Sequence, residues 1–464
     1  MKRFSRNFVS LLGGDIARRI IGFLAVAVLA RKIGVAGFGA INIGFTVLSY
    51  TLLLSSAGLN SFGTRAVARG ESVNLVNTIV TIRLISSFGA FILISLFAIF
   101  FMPNDIMLVL IIIFNLSLFP NIFFIDWYFQ GKEKMGIIAV SRLISALAYF
   151  ILILLIVFSV NELLWVAIAA VIGDILSSSV IWIYYRRNES GERLKFSILG
   201  WRSIVRQAIP LGGGSLLASL GVNLSPLVIG ILLTNTDVGI FSAANKLVFF
   251  LLMLDRVFGA TILPAASRHH QESPDHLSKT LIMALKWIFI TSLPIAVGGS
   301  VVAVQIVPLV FGGEYSPSVD ILRILIWFFF FTMLHTIYTT GMIAISKEKA
   351  YASIMMISLV MYGISNVICI MLFGIAGAAA AMVVSEAATL ILMHRRLNQS
   401  IRIPMPGTTV KIIFAAVLMG VIVGIAPPVN VFIKIFFGAI IYIGLLFMLK
   451  SISVTEITSI LKRV

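Results

Sequence analysis

Apolar residues in this 464-residue chain run in long unbroken blocks, and the polar residues gather in short clusters between them. Neither the alternation of a half-buried strand nor the one-sided periodicity of a surface helix is present. Fourteen blocks stand out, near Ser10–Leu29, Phe38–Ala57, Ile79–Phe101, Ile106–Ile125, Gly136–Val157, Leu163–Tyr184, Ala208–Leu233, Gly239–Leu263, Leu285–Val307, Ile321–Ile345, Ala350–Phe373, Ile375–Met393, Val410–Ile425 and Val431–Leu449. As a helix, each is of a length to cross about 30 Å of hydrocarbon. The pattern predicts an all-α polytopic membrane protein of about 14 transmembrane helices.

Charge fixes the orientation. Of 35 Lys and Arg, 23 fall at the termini and in the even-numbered connections, two (Arg31 and Lys32) in the odd-numbered ones, and ten within or at the edges of the blocks. The positive-inside rule then places both termini in the cytoplasm. The longest connection, Tyr185 to Ser203, is short and basic, with Arg186, Arg187, Arg193, Lys195 and Arg202. Such charge sets orientation and touches anionic lipid, so the net charge of +17 does not call for nucleic acid. A composition that is 60% hydrophobic and 11% charged leaves no room for a soluble domain. The single Cys369 lies inside an apolar block, which excludes a disulfide framework or a thiolate metal site. Lys2, Arg3 and Arg6 ahead of the first block resemble a signal peptide, but no small-residue cleavage site follows, so this block reads as an uncleaved helix.

The chain also resembles itself. Gly13 and Gly14 in segment 1 correspond to Gly212, Gly213 and Gly214 in segment 7, Phe38–Asn42 to Phe241–Asn245, and Lys132–Lys134 to Lys347–Lys349. These matches predict two parallel six-helix repeats around a central cavity: an N-terminal lobe over 1–186, a basic linker over 187–203, a C-terminal lobe over 204–396, and helices 13 and 14 over 397–464. Gly13, Gly14, Gly212, Gly213, Gly214 and Pro226 are candidates for helix bends at that cavity, or else serve only close packing.

Charge inside hydrocarbon costs several kcal/mol unless it is paired or faces water, so the intramembrane charges are the candidate site. In segment 1, Asp15 can pair with Arg19 one turn on, and less directly with Arg18. Arg83 and Arg142 lie one to two turns from the cytoplasmic face, where they either snorkel or line the cavity. Asp174 and Glu386 lie deeper, to pair with an arginine or to bind a proton or sodium ion. Lys246 is nine residues from Asp255, which puts the two on opposite helix faces, so this lysine needs another partner or an anionic ligand. His335 reads as a hydrogen-bonded core histidine or a proton relay. Arg18, Arg19, Arg83, Arg142, Lys246 and Arg256 against Asp15, Asp174, Asp255 and Glu386 leave a positive surplus, which favours an anionic passenger. No phosphate loop, D-x-D pair or zinc spacing is present, so the sequence predicts a transporter rather than an enzyme, with no cofactor beyond possible Na+ or H+ coupling.

"ARKIGVAGFGAINIGFTVLSYTLLLSSAGLNSFGTRAVAR" at Ala30–Arg69, "DWYFQGKEKM" at Asp126–Met135, "DVGIFSAANKL" at Asp237–Leu247, "LPAASR" at Leu263–Arg268 and "FGGEYSPSVDILRIL" at Phe311–Leu325 resemble the Wzx-type polysaccharide (O-antigen) flippases of the multidrug/oligosaccharidyl-lipid/polysaccharide exporter superfamily. This resemblance implies two six-helix lobes in the cell inner membrane that translocate a polyprenyl-diphosphate-linked oligosaccharide for lipopolysaccharide or other surface polysaccharide. It implies a diphosphate held by cavity cations, which fall here on Arg18, Arg19, Arg83, Arg142 and Lys246. It also implies membrane lipids, a polymerase and glycosyltransferases as partners. Some relatives hold sodium in the C-terminal lobe, where Asn223, Asn366 and Glu386 occupy the corresponding helices. Two alternatives remain open: a cation-coupled multidrug antiporter, which wants an acidic cavity, and a membrane-embedded glycan polymerase or transferase, which wants a long outer loop or clustered catalytic groups.

Overall fold

A computed structural model of the chain describes the backbone of residues 2–70, 73–101, 105–190, 195–427, 429–452 and 456, without the side chains of 2–15, 73, 74, 101, 105, 160, 190, 211–220, 222, 271 and 274. Among the described residues there are sixteen α-helices and no strand. They are α1 (Lys2–Ser56), α2 (Leu59–Ala68), α3 (Val73–Phe101), α4 (Asp105–Asn115), α5 (Leu118–Ile122), α6 (Asp126–Gly131), α7 (Met135–Ile156), α8 (Leu163–Tyr185), α9 (Trp201–Leu232), α10 (Asn235–Leu251), α11 (Met253–Glu272), α12 (Pro274–Phe311), α13 (Ser318–Ala344), α14 (Glu348–Asn398), α15 (Thr409–Ile425) and α16 (Val431–Met448).

Every apolar block of the sequence falls largely on helix. Ten described stretches are long and apolar enough to cross a membrane, and Asn223–Leu232 and Thr409–Ile425 are shorter apolar helices. The chain is a multi-pass membrane protein. Two of the long helices each hold two blocks, because α1 is interrupted at Gly34 (φ 68°, ψ 179°) and α14 at Gly374 (φ 59°, ψ −141°). Only glycine enters that region readily, so both breaks sit where the side chain is missing. By contrast, α9 is helical through Pro226.

The chain divides into two compact units, Met1–Ser242 and Ala243–Val464. In the first, a core forms around α2 and α6. Trp127 and Phe129 are fully buried there with Leu59, Val76, Ile79 and Ile181. A Cβ at Gly63 would strike the Trp127 ring, and one at Gly131 would strike Val67, so α2 and α6 touch through glycine. This explains the aromatic and glycine residues of "DWYFQG": they clamp α6 to α2. The first turn of α10 lies against α1 in the same manner, where Gly39 faces the Asn235 carbonyl and Gly239 faces that of Val35.

The second unit is knit by hydroxyls. Across the two arms of α14, Thr389 donates to Ser358 at 2.7 Å, and Ser365 and Ser385 lie 3.2 Å apart. Such pairs contribute about 0.6–2 kcal/mol inside a membrane bundle, where no water competes. One turn recurs in both units. Glu133 (φ 57°) and Ser346 (φ 57°) each end a helix in the left-handed region. The next residue donates five back, Lys134 to the Phe129 carbonyl and Lys347 to that of Met342, both at 2.8 Å. This is the Schellman closure. It pairs Glu133 with Ser346, two residues out of register from the Lys-Glu-Lys match in the sequence.

Candidate functional site

Arg83 projects from α3 into the first unit and is 7% exposed. Its Nη1 donates to the carbonyls of Asn121 (3.1 Å) and Phe124 (3.2 Å), and its Nη2 to Asn60 Oδ1 at 2.7 Å. Those acceptors are available for a physical reason. The α5 turn is a short helix at whose C-terminal end carbonyls have lone pairs to spare, that of Asn121 also taking the Phe124 N–H at 3.2 Å. All three hydrogen-bond acceptors are neutral, and the charge is answered only at longer range, by the Asp126 carboxylate. The guanidinium borders a cavity of about 280 Å³ together with Ser49, Ser55, Ser56, Asn60, Ser87 and Asn121.

Arg142 is placed differently. Its Nη2 lies 2.8 Å from Asp126 Oδ2, with the carboxylate 8% and the arginine 39% exposed, and its guanidinium stands 5.8 Å from the Phe124 ring centre. Asp126 also accepts from Gln130. A tally of intramembrane charge drawn from the apolar blocks alone leaves out Asp126, which opens α6 just after a block ends. Its signal is position: an acid in the first turn of a helix, where the dipole favours it.

In the second unit, acid and base meet. His335 Nδ1 on α13 and Glu386 Oε1 on α14 lie 2.7 Å apart, at 12% and 15% exposure. Thr336, the next residue on α13, donates to Asp255 of α11. Asp255 in turn interacts electrostatically with His335, Glu386 and Arg256. Three helices thus bring together two acids, a histidine and a hydroxyl that the sequence separates by up to 131 positions, from 255 to 386. Glu386 therefore pairs with a histidine, where the sequence suggests an arginine or an ion.

Lys246 on α10 is half-buried, and among the described residues no hydrogen bond or ion pair reaches it. The neighbouring Asn245 Oδ1 is buried with no donor among the described residues. The remaining candidates are dispersed. Arg18 and Arg19 are half-buried on α1, Asp174 lies beside Ser117, and Arg256 is exposed on α11. Asn223 falls in the first unit, whereas Asn366, fully buried, falls in the second with Glu386. The side chain of Asp15, and Gly13, Gly14, Gly212, Gly213 and Gly214, lie outside the described side-chain positions.

Residues 4–270 match the family described as polysaccharide biosynthesis protein. A probable low-salt glycan biosynthesis flippase of Haloferax volcanii is 26% identical over 246 residues, 51% of this chain and 52% of the relative. The alignment thus spans about half of that protein. A putative O-antigen transporter of Shigella flexneri is 23% identical over 84% of this chain and 98% of its own length. Among solved structures, the lipid II flippase MurJ in an inward closed conformation superposes with a TM-score of 0.77 at 15% identity, covering 94% of this chain and 97% of that one. An inward-facing multidrug resistance MATE transporter of the MOP superfamily follows at 0.66, 15% identity, 82% and 95%. At these identities the structures establish the fold alone.

Proposed function

Because the chain belongs to the polysaccharide biosynthesis protein family, we propose that it is a flippase that moves a polyprenyl-diphosphate-linked oligosaccharide from the cytoplasmic to the outer leaflet of the cell inner membrane, by alternating access, for surface polysaccharide synthesis. The curated relatives named as a glycan flippase and an O-antigen transporter support this reading. The single observation that carries it is Lys246. A lysine at the centre of an apolar helix costs roughly 2.5–3.5 kcal/mol on insertion scales, and among the described residues no acid or acceptor offsets that. An anionic passenger would. Arg83, buried and hydrogen-bonded only to neutral acceptors, gives the first unit a second buried cation.

The lobes belong to this proposal: six helices in 1–186 and six in 204–396, with the additional pair in 397–464, both termini cytoplasmic and the two repeats parallel. So do its partners, a polymerase and glycosyltransferases of the same pathway. No reaction on the glycan is assigned to the chain. The His335, Glu386 and Asp255 group supports coupling to protons or sodium, since moving a charge on or off such a group changes which conformation is favoured. A multidrug antiporter fits less well, because a cationic drug gains nothing from Lys246.

The test is Lys246→Ala and Lys246→Glu in cells. Surface glycan disappears in both while the protein reaches the membrane at its normal level. Glycan retained in both variants removes Lys246 from the site.

A further inference from the structure

The connection between α8 and α9 is tied to α3 rather than hanging loose. The Lys195 N–H reaches Asn77 Oδ1 at 3.4 Å, the Ser197 N–H donates to Thr81 Oγ1 at 3.1 Å, and the Ser197 and Thr78 hydroxyls lie 3.2 Å apart. Asn77, Thr78 and Thr81 are all buried on α3. With its backbone fixed there, the segment leaves large apolar side chains outside. Phe196 is 71% and Leu199 81% exposed, and Ile198 and Trp201 are exposed beside them. Neither water nor hydrocarbon suits such a segment. Residues 195–198 have no regular secondary structure, and irregular backbone facing lipid is not tolerated in the hydrocarbon region. A contiguous apolar patch is equally unfavourable in water. The headgroup layer accepts both, and aromatic and basic side chains concentrate there.

Charge decides which headgroups. Arg186, Arg187, Lys195, Arg202 and Arg206 are exposed, and among the described residues no ion pair reaches them. Glu189, the one acid among the described residues from 186 to 206, is already bound to Lys134 and accepts the Tyr128 hydroxyl. Arg202 and Arg206 stand one turn apart on α9, and the Arg202 guanidinium lies 5.5 Å from the Trp201 ring centre, so ring and cations share one face. A zwitterionic lipid brings no net charge to this face, whereas an anionic phospholipid does. Basic residues by themselves favour one leaflet in general. The tie to α3 and the exposed ring fix where on the molecule the headgroups sit.

We infer that residues 195–206 form a docking surface for anionic phospholipid headgroups of the cytoplasmic leaflet, the side on which the orientation proposed above places this connection. This surface meets the bilayer and not the transported glycan, so the flippase reading neither carries it nor falls with it.

The test uses the full chain in phosphatidylcholine nanodiscs holding a small fraction of either brominated phosphatidylglycerol or brominated phosphatidylcholine. The signal is the fluorescence of Trp201, taken as the parent minus Trp201→Phe. Brominated phosphatidylglycerol quenches it at least about fivefold more efficiently per lipid than brominated phosphatidylcholine, the enrichment expected from one basic residue near an anionic surface. Replacing both arginines, Arg202→Gln with Arg206→Gln, brings the two lipids to parity, and so does high salt. The salt arm uses the unaltered protein, so the outcome is readable even if the double variant folds poorly. Equal quenching by the two lipids in the parent overturns the inference. So does a preference that neither salt nor the double variant moves. Quenching of Trp201 by aqueous iodide but by neither lipid also overturns it, and would leave the patch to a protein partner.

Discussion

In the first unit the deepest arginine, Arg83, is held by two backbone carbonyls and one amide oxygen, whereas in the second His335, Glu386, Asp255 and Thr336 hold one another. Both arrangements satisfy the rule that polar groups away from water find partners. They differ in what is left over. Neutral acceptors fix the Arg83 guanidinium by hydrogen bonds, and the carboxylate nearest in effect, Asp126, is bonded to Arg142 instead. The acid and base of the second unit cancel each other, and what remains is a choice of protonation state. One region holds a cation by neutral hydrogen-bond partners, the other pairs acid with base, and each follows from which partners the fold supplies rather than from the charged residues alone.

The contrast breaks most sharply at Arg83. Replacing it by alanine leaves the Phe124 carbonyl and Asn60 Oδ1 without their donor, and the Asn121 carbonyl with only the Phe124 N–H. A loss of about 2–4 kcal/mol in stability is expected, seen as a lower Tm in detergent, together with loss of translocation. Arg83→Lys keeps the charge, cannot span all three acceptors, and recovers part of the stability. In the second unit, Glu386→Gln keeps an acceptor for His335 but removes the charge. Transport in the parent protein depends on pH through this pair, and the variant's profile is flat, with a rate several-fold lower. Transport measured in vesicles at fixed outer and stepped inner pH checks this.

Arg142 supplies the internal control. It is cationic and shares Phe124 with Arg83, yet Asp126 pairs with it directly. Asp126→Asn is expected to cost about 1–2 kcal/mol, discounted because the arginine is partly exposed, and to leave the rate per folded molecule unchanged. The smallest effect belongs to Lys134→Ala. It removes an ion pair with Glu189 in which the lysine is 46% exposed, worth less than about 1 kcal/mol, and neither Tm nor transport moves measurably.

The helices are legible in the sequence because a span is a local property: some twenty apolar residues and a polar break suffice. The breaks at Gly34 and Gly374 are less so. Both glycines stand between or at the edge of marked blocks, but φ above zero is set by the packing of the two arms and not by composition. Short helices outside the blocks escape the pattern, α2 and α6 among them, since their apolar residues are few and serve each other. The charges are visible in the sequence but their partners are not. Asp126 sits 16 positions from Arg142 and lies outside the block, and His335 sits 51 positions from Glu386 on another helix. Counting Asp126 reduces the positive surplus of the intramembrane set by one. What survives is carried by residues such as Arg83 and Lys246, whose hydrogen bonds among the described residues reach no carboxylate, and no spacing rule distinguishes them from Arg142.

The most direct test of transport is leaflet-resolved detection of a fluorescent polyprenyl-diphosphate-linked oligosaccharide in proteoliposomes holding the full chain, with Lys246→Ala and Asp126→Asn measured alongside. Protein-dependent movement to the opposite leaflet is expected in the parent and in Asp126→Asn, and none above empty vesicles in Lys246→Ala. Movement in Lys246→Ala equal to the parent, or no movement in the parent under any proton or sodium gradient, would contradict the flippase assignment built on that lysine.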